Sequence, residues 1–541
     1  EGFWIKNGQI DRDHQVKNIM LTGNGIDVIK RIDRVGKKMK YEKGGFCGAS
    51  SGLIPTTTPQ PMVRISHMAI GCFRVKEHIT RKGKHMKECM RELKAYKAAM
   101  QSLPSGCLAA EAEAEKQEKL SVEMTGSQTG PMSCSEQTEL FVRASGQKTG
   151  MVYTQKLDAN ASDVIAQALT NSEASAAKKA EPMAAADYWE MDEAKDSNYE
   201  QTKTLVSIET LKNKAKTLAG QLEESFGCQV RLNLSQTILT MGIVNTNNIE
   251  ETASVCRFAA EAAADGYEGY ACALTLDELS PEPFIHEFSN RRFLDVPTIL
   301  AEPGVYRAVL SSQAVNNILI TAWQMFTAKR ARSGATPFAG KENKKIFSDC
   351  ITIRDYKGGA DSKNSVQCGF SWKMDCEGVP SRDLTLVENG VLKGWMHNLS
   401  SAAAAGVRST GNAGRKTLLS GNIHTDMAIM PKNFTIESGT ASLEQLIHDC
   451  DDGVYVFENY DQFHALNVVS GDFSFPCKAV RIKEGKPVGI MEGLTMTGNV
   501  AELFARVEQV GSDRVINPLV MYDSYTVSGP AMLVKSLKIS G

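Results

Sequence analysis

Asp375-Cys-Glu-Gly-Val-Pro380, Leu386-Val-Glu-Asn-Gly-Val-Leu-Lys-Gly394, Ser409-Thr-Gly-Asn-Ala-Gly414 and Ser470-Gly-Asp-Phe-Ser474 follow one another through the C-terminal half of the chain. Each reads as a turn between short extended runs. Asn389-Gly390, flanked by apolar residues at 384–387 and 391–395, is the strongest hairpin signal, because both residues accept the positive φ of a tight turn. Further strands are expected at 350–354, 427–430, 454–457, 478–483 and 532–539. Helices are expected at 311–328, 441–449 and 500–510. Residues 296–541 therefore read as a β-rich domain.

Upstream, residues 119–295 mix strands and helices and read as an α/β-type or α+β domain. Strands are expected at 120–124, 139–144, 151–155, 229–234 and 238–244, and helices at 161–169 and 208–226. The second helix carries Leu211, Ala215, Leu218 and Leu222 on one face. Residues 170–203, rich in Ala, Ser and Lys, read as a surface segment. In 73–118, Met86, Met90, Leu93, Tyr96, Met100 and Leu103 form an apolar stripe with Lys84, Lys87, Arg91, Lys94 and Lys97 mostly off it. This is a basic amphipathic helix ending before Pro104; a solvated outer face explains its charge. The Ala/Glu-rich residues 109–119 are expected to extend the helix or serve as a linker.

The first 72 residues repeat the end of the chain. Met20–Gly36 lies over Thr495–Gly511 at a constant offset, with identity at Thr22/Thr497, Gly23/Gly498, Asn24/Asn499, Arg31/Arg506, Val35/Val510 and Gly36/Gly511. Ile5-Lys-Asn-Gly8 matches Ile482-Lys-Glu-Gly485, and Pro61–Gly71 matches Pro530–Gly541. Ile26, Ile29, Ile32 and Val35 recur at helical spacing, so a short helix is expected after the Thr-Gly-Asn turn. With no initiator Met, the expectation is a partial copy of the C-terminal module: two related proteins in tandem, most of the first one missing.

Composition narrows the function classes. With 42% apolar residues in 541 there is material for several buried cores. A formal charge of −2 argues against a general nucleic-acid or membrane-surface binder, which needs a basic footprint. The 13 Cys are scattered singly without a CxxC pair, which suits a reducing cytoplasm better than a disulfide framework. No run approaches 18 uninterrupted apolar residues.

Taken in order and spacing, the four C-terminal motifs and the terminal Thr-Gly-Asn module resemble the TldD/PmbA family, once called modulators of DNA gyrase. The resemblance is firm over 296–541 and looser over 80–295. The absence of a metal-binding helix places 80–541 with the PmbA (TldE-like) subunit, and residues 1–72 resemble the C-terminal end of TldD. The resemblance implies an α+β protein working as a heterodimer with a TldD-like catalytic subunit of a cytoplasmic zinc metallopeptidase that cleaves unfolded peptides.

Gly44-Gly-Phe-Cys-Gly48 fills the place of the Cys-Gly-rich loop of that family, so the resemblance implies that Cys47 is a zinc ligand of an incomplete TldD-like site. A thiolate on a glycine-framed loop can approach a metal, and Zn²⁺ favours Cys and His; the plainer alternative is a buried free thiol. The second copy has no Cys between Gly511 and Pro530. Such a peptidase also needs an HExxxH helix, whose Glu acts as general base. The chain has none: His286-Glu287 is followed by Asn290 and Arg291, and the place expected for that helix, 309–320, contains no His. Zinc would bind only when a TldD-like HExxxH segment completes the site.

Asp375 and Glu377 stand two apart and could form a carboxylate pair, but Gly378 and Pro380 favour a solvated turn. Ser409-Thr-Gly-Asn412 reads as a turn closed by its polar groups rather than an anion nest. A catalytically silent peptide-binding or regulatory protein is the rival reading. No Ser/His/Asp or Cys/His arrangement supports a hydrolase with a nucleophile of its own.

Overall fold

Apolar residues at every second position make a strand wherever a partner strand and a covering layer are available, and this rule governs most of the chain. The structure, a computed structural model, describes residues 2–6, 9–16, 19–22, 29–49, 52–66, 69–72, 84–155, 159–175, 179–190, 205–358, 373–415, 427–517 and 525–541. They fall into two units, Glu1–Thr80 and Arg81–Gly541.

The first unit consists of antiparallel ribbons. β1 (Gly2–Lys6) pairs with β2 (Gln9–Val16), β3 (Ile19–Thr22) with β6 (Ala69–Cys72), and β4 (Ile32–Ala49) with β5 (Gly52–Ile65). An exposed ion pair, Arg64 Nε to Asp33 Oδ1 at 2.8 Å, crosses the last ribbon. Of the helix expected after the Thr-Gly-Asn turn, residues 23–28 lie outside the described residues, 29–30 are helical, and strand takes over from Ile32. Spacing of three suits a helix, but pairing along β5 satisfies the backbone over a longer stretch.

In the second unit, helix α1 (Lys84–Ala99) leads into β7 (Ala109–Thr125), β8 (Gln128–Ser145), β9 (Thr149–Thr154), α2 (Ala161–Asn171), α3 (Ile208–Phe226), β10 (Arg231–Asn245), β11 (Glu250–Ala264) and β12 (Tyr267–Ala273). The strands form one antiparallel sheet in the order β12-β11-β10-β7-β8-β9. Residues 109–119 are therefore strand, not helix or linker. Ala and Glu favour helix individually, but they alternate. Ala110, Ala112 and Ala114 turn to one face and pack beneath Leu93 and Tyr96 of α1 and Ile165 and Ala168 of α2. Further along, Leu120, Val122 and Met124 pack beneath Leu211, Ala215, Leu218 and Leu222 of α3. Glu111, Glu113 and Glu115 take the opposite face. The two strands expected at 229–234 and 238–244 are one, β10. α3 runs as expected, N-capped by the Ser207 hydroxyl, which accepts from Thr210 N–H at 3.0 Å, and closed by Gly227 at φ 69°.

The rest of the unit runs β13 (Gly304–Leu310), α4 (Ser312–Ala322), β14 (Ile353–Tyr356), β15 (Leu384–Glu388), β16 (Val391–Leu392), α5 (Leu399–Ala405), β17 (Ala413–Gly414), β18 (Ala428–Ile429), β19 (Asn433–Ile436), α6 (Leu443–Cys450), β20 (Gly453–Asn459), β21 (Asp472–Lys483), β22 (Lys486–Asn499), α7 (Val500–Ala505), β23 (Val507–Asn517) and β24 (Thr526–Ser540). The large sheet has the order β13-β20-β21-β22-β24-β19-β14-β15-β16. Because β13 also pairs with β24, strands β13, β20, β21, β22 and β24 close into a five-stranded barrel. The Asn-Gly hairpin is present, with Asn389 at φ 48° and Gly390 at φ 77°. The helix expected over 500–510 stops at Ala505, and 507–517 is strand paired along β24. The mixed helix and strand content with large sheets is the α+β architecture expected.

Pairing registers coincide between the two units. Lys6 faces Gln9 and Ile5 faces Ile10, as Lys483 faces Lys486 and Ile482 faces Pro487. Thr22 faces Ala69, as Thr497 faces Lys538. Ile32, Arg34, Val35 and Met39 face Ile65, Arg64, Val63 and Pro61; Val507, Gln509, Val510 and Arg514 face Val534, Leu533, Met532 and Pro530. Even the register shifts fall at equivalent positions, between Val35 and Met39 and between Val510 and Arg514.

Candidate functional site: a buried polar centre between the two sheets

The acidic face of β7 lies against the turn Asp375–Pro380 and the end of Ser409–Gly414, to which Arg143 and Arg415 tie it. Asp375 Oδ1 accepts the N–H groups of Glu377 at 2.9 Å and Val379 at 3.0 Å, and its Oδ2 accepts Ala413 N–H at 2.9 Å. Gly378, at φ 73°, lets the chain turn tightly enough for this. Glu377 Oε2 then accepts Leu399 N–H at 2.7 Å at the start of α5. The expected solvated turn is thus overturned: Asp375 and Glu377 are 4% and 0% exposed. They are buried because their oxygens, rather than water, satisfy backbone donors of neighbouring segments.

Arg143 on β8 joins this turn to the N-terminal sheet. Its Nε donates to Glu111 Oε1 at 2.9 Å, with Nη2 at 2.6 Å from the same oxygen, and its Nη1 lies 3.4 Å from Glu377 Oε1 and 3.5 Å from Glu181 Oε2. A second bridge runs from Arg415 Nε to Glu113 Oε2 at 2.6 Å, with the guanidinium 4.3 Å above the Phe141 ring. Behind them, Asp355 Oδ1 accepts Lys432 N–H at 2.7 Å and Asn433 N–H at 2.9 Å, while its Oδ2 accepts Asn412 Nδ2 at 2.7 Å. Lys432 Nζ donates to Gly411 O. Ser409-Thr-Gly-Asn412 is therefore a bend closed by its own polar groups, as read, but it is buried. His397 O accepts from the Ser409 and Thr410 hydroxyls at 3.1 Å each.

Burial sets the protonation of this centre. It pushes Glu377 up to about 8 against the pull of Arg143, with Asp375 adding to the rise. It pushes Glu113 up to about 7 against Arg415. Asp375 and Asp355 are raised by burial against the opposing charge of Lys432, and Lys432 is lowered by burial. Burial disfavours the Arg143 charge, yet Glu111, Glu377 and Glu181 hold its guanidinium above the ordinary value. Glu111 Oε2 and Glu113 Oε1 are buried without a hydrogen-bond partner. Two arginines serve four glutamates here, Glu111, Glu181 and Glu377 on Arg143 and Glu113 on Arg415, and a proton on a raised carboxyl relieves the surplus of acid. Burial raises the Cys376 thiol well above its usual value, which keeps it protonated and unreactive. Ser401 Oγ lies 3.3 Å from His397 Nδ1, but it also donates to Asn398 O, and burial lowers the imidazole. The arrangement clamps the sheets together.

Cys47 lies on β4 opposite Ile54, and its side chain is outside the described residues. His286 sits on the surface with Nε2 3.3 Å from Asp513 Oδ2. The place expected for a metal helix holds the end of β13 and α4. There Asn316 Nδ2 donates to Val515 O and its Oδ1 accepts Gly529 N–H, both at 2.8 Å; Asn317 Nδ2 donates to Asn459 O at 2.9 Å and to its Oδ1 at 2.8 Å. Amides already engaged in this way do not fit a zinc ion. Among the described residues no group of three or more His, Cys, Asp and Glu is placed to hold a metal. None of the described helices is long and apolar enough to cross a membrane. A surface cavity of about 490 Å³, lined by Thr125, Gln229, Arg231 and Glu268 among others, includes none of the polar-centre residues in its lining.

Sequence reading missed Glu111, Glu113, Arg143, Arg415, Asp355 and Lys432. The alternation at 110–115 was the available signal: charges on every second residue of a strand demand a polar partner face.

An α+β protein with a closed barrel and a buried ionic seam is the class these features define. The family model for the PmbA/TldA metallopeptidase C-terminal domain matches residues 1–72 and 303–541. The chain belongs to the TldD/PmbA metallopeptidase family. An uncharacterized protein of Methanocaldococcus jannaschii is 32% identical over 222 residues, 40% of this chain and 49% of that protein. A metalloprotease TldD homolog of Buchnera aphidicola is 32% identical over 183 residues, 34% of this chain and 35% of the relative. The chain thus spans half or less of the length of these relatives. The crystal structure of TldE from Thermococcus kodakarensis shares the fold at a TM-score of 0.67 with 19% identity, over 84% of this chain and all of that one.

Proposed function

We propose that this chain is a non-catalytic PmbA/TldE-like subunit of a zinc metallopeptidase that cleaves unfolded peptides in the cytoplasm, working beside a TldD-like catalytic subunit. The observation that carries the reading is α4. Where a catalytic subunit would present metal-binding side chains, it presents Asn316 and Asn317, both committed to backbone partners. The ionic seam that fixes one sheet against the other gives the chain a rigid wall, which suits a subunit that shapes a sheltered cleft. Residues 1–72 are read as the tail of the catalytic type, 73–118 as a connection that carries α1 and ends within β7, 119–295 as the N-terminal domain to whose sheet β7 belongs, and 296–541 as the C-terminal domain. In this reading Cys47 serves a zinc site whose other ligands come from an HExxxH segment outside this chain. No reaction step is assigned to the chain itself.

The test is cleavage of an unfolded casein by the chain, by a TldD-like subunit, and by their mixture. Activity is expected from the mixture and not from the chain alone. Cleavage by the chain alone, or a TldD-like subunit whose rate ignores the chain, refutes the reading.

A further inference from the structure

The six-stranded sheet leaves one length of strand edge open. β7 pairs along β8 from Thr125 opposite Gln128 to Ala109 opposite Ser145, but β9 pairs with β8 only from Leu140 to Ser145. Among the described residues no strand lies on the outer side of Met132–Thr138. The opening is bounded at both ends. At one, the register shifts between Val122 and Met124, and Pro131 contributes no N–H; at the other, Thr154 of β9 faces Leu140. Between them run seven residues, roughly 24 Å of backbone. Each presents its N–H and C=O together, toward β7 and outward in alternation.

Sheets ordinarily blunt such an edge with charge or cover it with another segment. β9 is covered: Asn171 Nδ2, at the end of α2, donates to Met151 O at 2.8 Å. Met132–Thr138 has no such cover among the described residues, and Met132, Ser133, Ser135, Glu136 and Gln137 are exposed. Its one charged residue, Glu136, lies 3.0 Å from Lys116 Nζ of β7, so the carboxylate is matched within the sheet. The two faces of the segment differ. Met132 and Cys134 stand opposite Val122 and Leu120, which pack beneath α3, and Cys134 packs against that core. Ser133, Ser135 and Gln137 take the other face, where Ser133 Oγ lies 2.7 Å from Ser121 Oγ.

We propose that Met132–Thr138 is a binding edge for an extended, unfolded peptide, which adds to β8 as a further strand in line with β9 through main-chain hydrogen bonds. Alternate side chains of the peptide lie beside Met132 and Cys134 on one face and beside Ser133, Ser135 and Gln137 on the other. The edge therefore favours segments that alternate apolar and polar residues. The size of the opening selects the occupant. A lane roughly 24 Å long and about 5 Å wide is too small for the interface of at least about 1,200 Å² that a stable dimer buries. Main-chain pairing with a chain not yet folded needs only that length. The choice of an unfolded peptide rests on the preceding reading, whereas the open edge is independent of it.

The probe is a fluorescein-labelled peptide of alternating Val and Ser with Lys at both ends, added to the full chain and followed by fluorescence anisotropy and amide exchange. It should bind, slow exchange of amides within 132–138 at least about tenfold, and leave those of 149–154 unchanged. Of two forms of the peptide N-methylated at alternate amides, one loses the donors that face β8 and should bind at least about tenfold more weakly. Of Cys134→Pro and Ser135→Pro, one removes an outward N–H and the other an N–H that points to β7; the variant that keeps the parent melting temperature should lose binding. Absence of binding, unslowed exchange in 132–138, two methylated forms that bind like the parent peptide, or undiminished binding by the stable Pro variant would each overturn the proposal. A dimer by light scattering whose 132–138 amides are protected without peptide overturns it too. A chain that binds nothing while its mixture with a TldD-like subunit cleaves casein sinks the edge and leaves the peptidase reading standing; binding without cleavage does the reverse.

Discussion

Replacing Arg143 by Met removes the one cation that Glu111 and Glu377 share. The guanidinium is 1% exposed and makes its closest contacts with Glu111, at 2.6 and 2.9 Å, with Glu377 farther off at 3.4 Å. The two acids lose unequal amounts. Glu377, raised to about 8, is largely protonated at pH 7 and gives up little further. Glu111 is left as a buried carboxylate without its counter-ion, the situation that costs about 3–5 kcal/mol when half of a buried pair is removed. The variant should therefore lose about 3–5 kcal/mol at pH 7 in urea denaturation followed by circular dichroism. Changing Glu111 to Leu in the same chain should restore most of the loss, because replacing both members of a buried pair by apolar groups is close to neutral. A single variant within about 1 kcal/mol of the parent, or a double variant no better than the single, would refute the assignment of this pair as the seam's principal tie.

Further tests probe the seam, the turn chemistry and the metal assignment. Glu113 and Glu377 have folded-state pKa values of about 7 and about 8 against an ordinary 4.5, so the folded state holds their protons more tightly than the unfolded chain. Their stabilising protonation is fully present below pH 4.5 and is lost as pH rises toward 7–8, by up to about 1.4 kcal/mol per pH unit for each group. The Glu113→Gln/Glu377→Gln variant should flatten this decline between pH 5 and 8, and a parent whose urea midpoint rises over that window contradicts it. Gly390→Ala should cost more than about 2 kcal/mol, because φ is 77° and a Cβ there would stand 2.3 Å from Phe347 O; an unchanged melting temperature would show that the hairpin relaxes. Ser207→Ala should cost about 1 kcal/mol through the lost cap of α3, read by the same denaturation. In a mixture whose peptidase activity depends on residues 1–72, Cys47→Ser should abolish activity and lower bound zinc; full activity would remove Cys47 from the metal shell.

Particular residues show what was legible before the structure. Asn389-Gly390 marked its hairpin because the φ angles it needs are a property of those two residues. The apolar stripe of 208–226 marked α3 for the same local reason, and the repeat could be aligned residue by residue. Where a segment had two local solutions, contacts far along the chain decided. Residues 109–119 have helix-forming composition and strand-forming alternation, and the pairing of β7 with β8 and β10 settles the choice. Ile32 and Val507 start strands because β5 and β24 lie beside them.

The polar centre was the least legible part, since its ion pairs join residues that no local pattern connects. Arg143 and Glu377 are 234 positions apart, and Arg415 and Glu113 are 302 apart. Asp375-Cys-Glu-Gly-Val-Pro380 carried enough information to announce a turn, because Gly and Pro fix backbone angles by themselves. Whether its carboxylates meet water or arginine depends on which surface closes over them. Sequence by itself therefore determined the family and the turns. Tertiary structure decided the buried charges, because desolvation and ion pairing arise only when distant segments exclude water together.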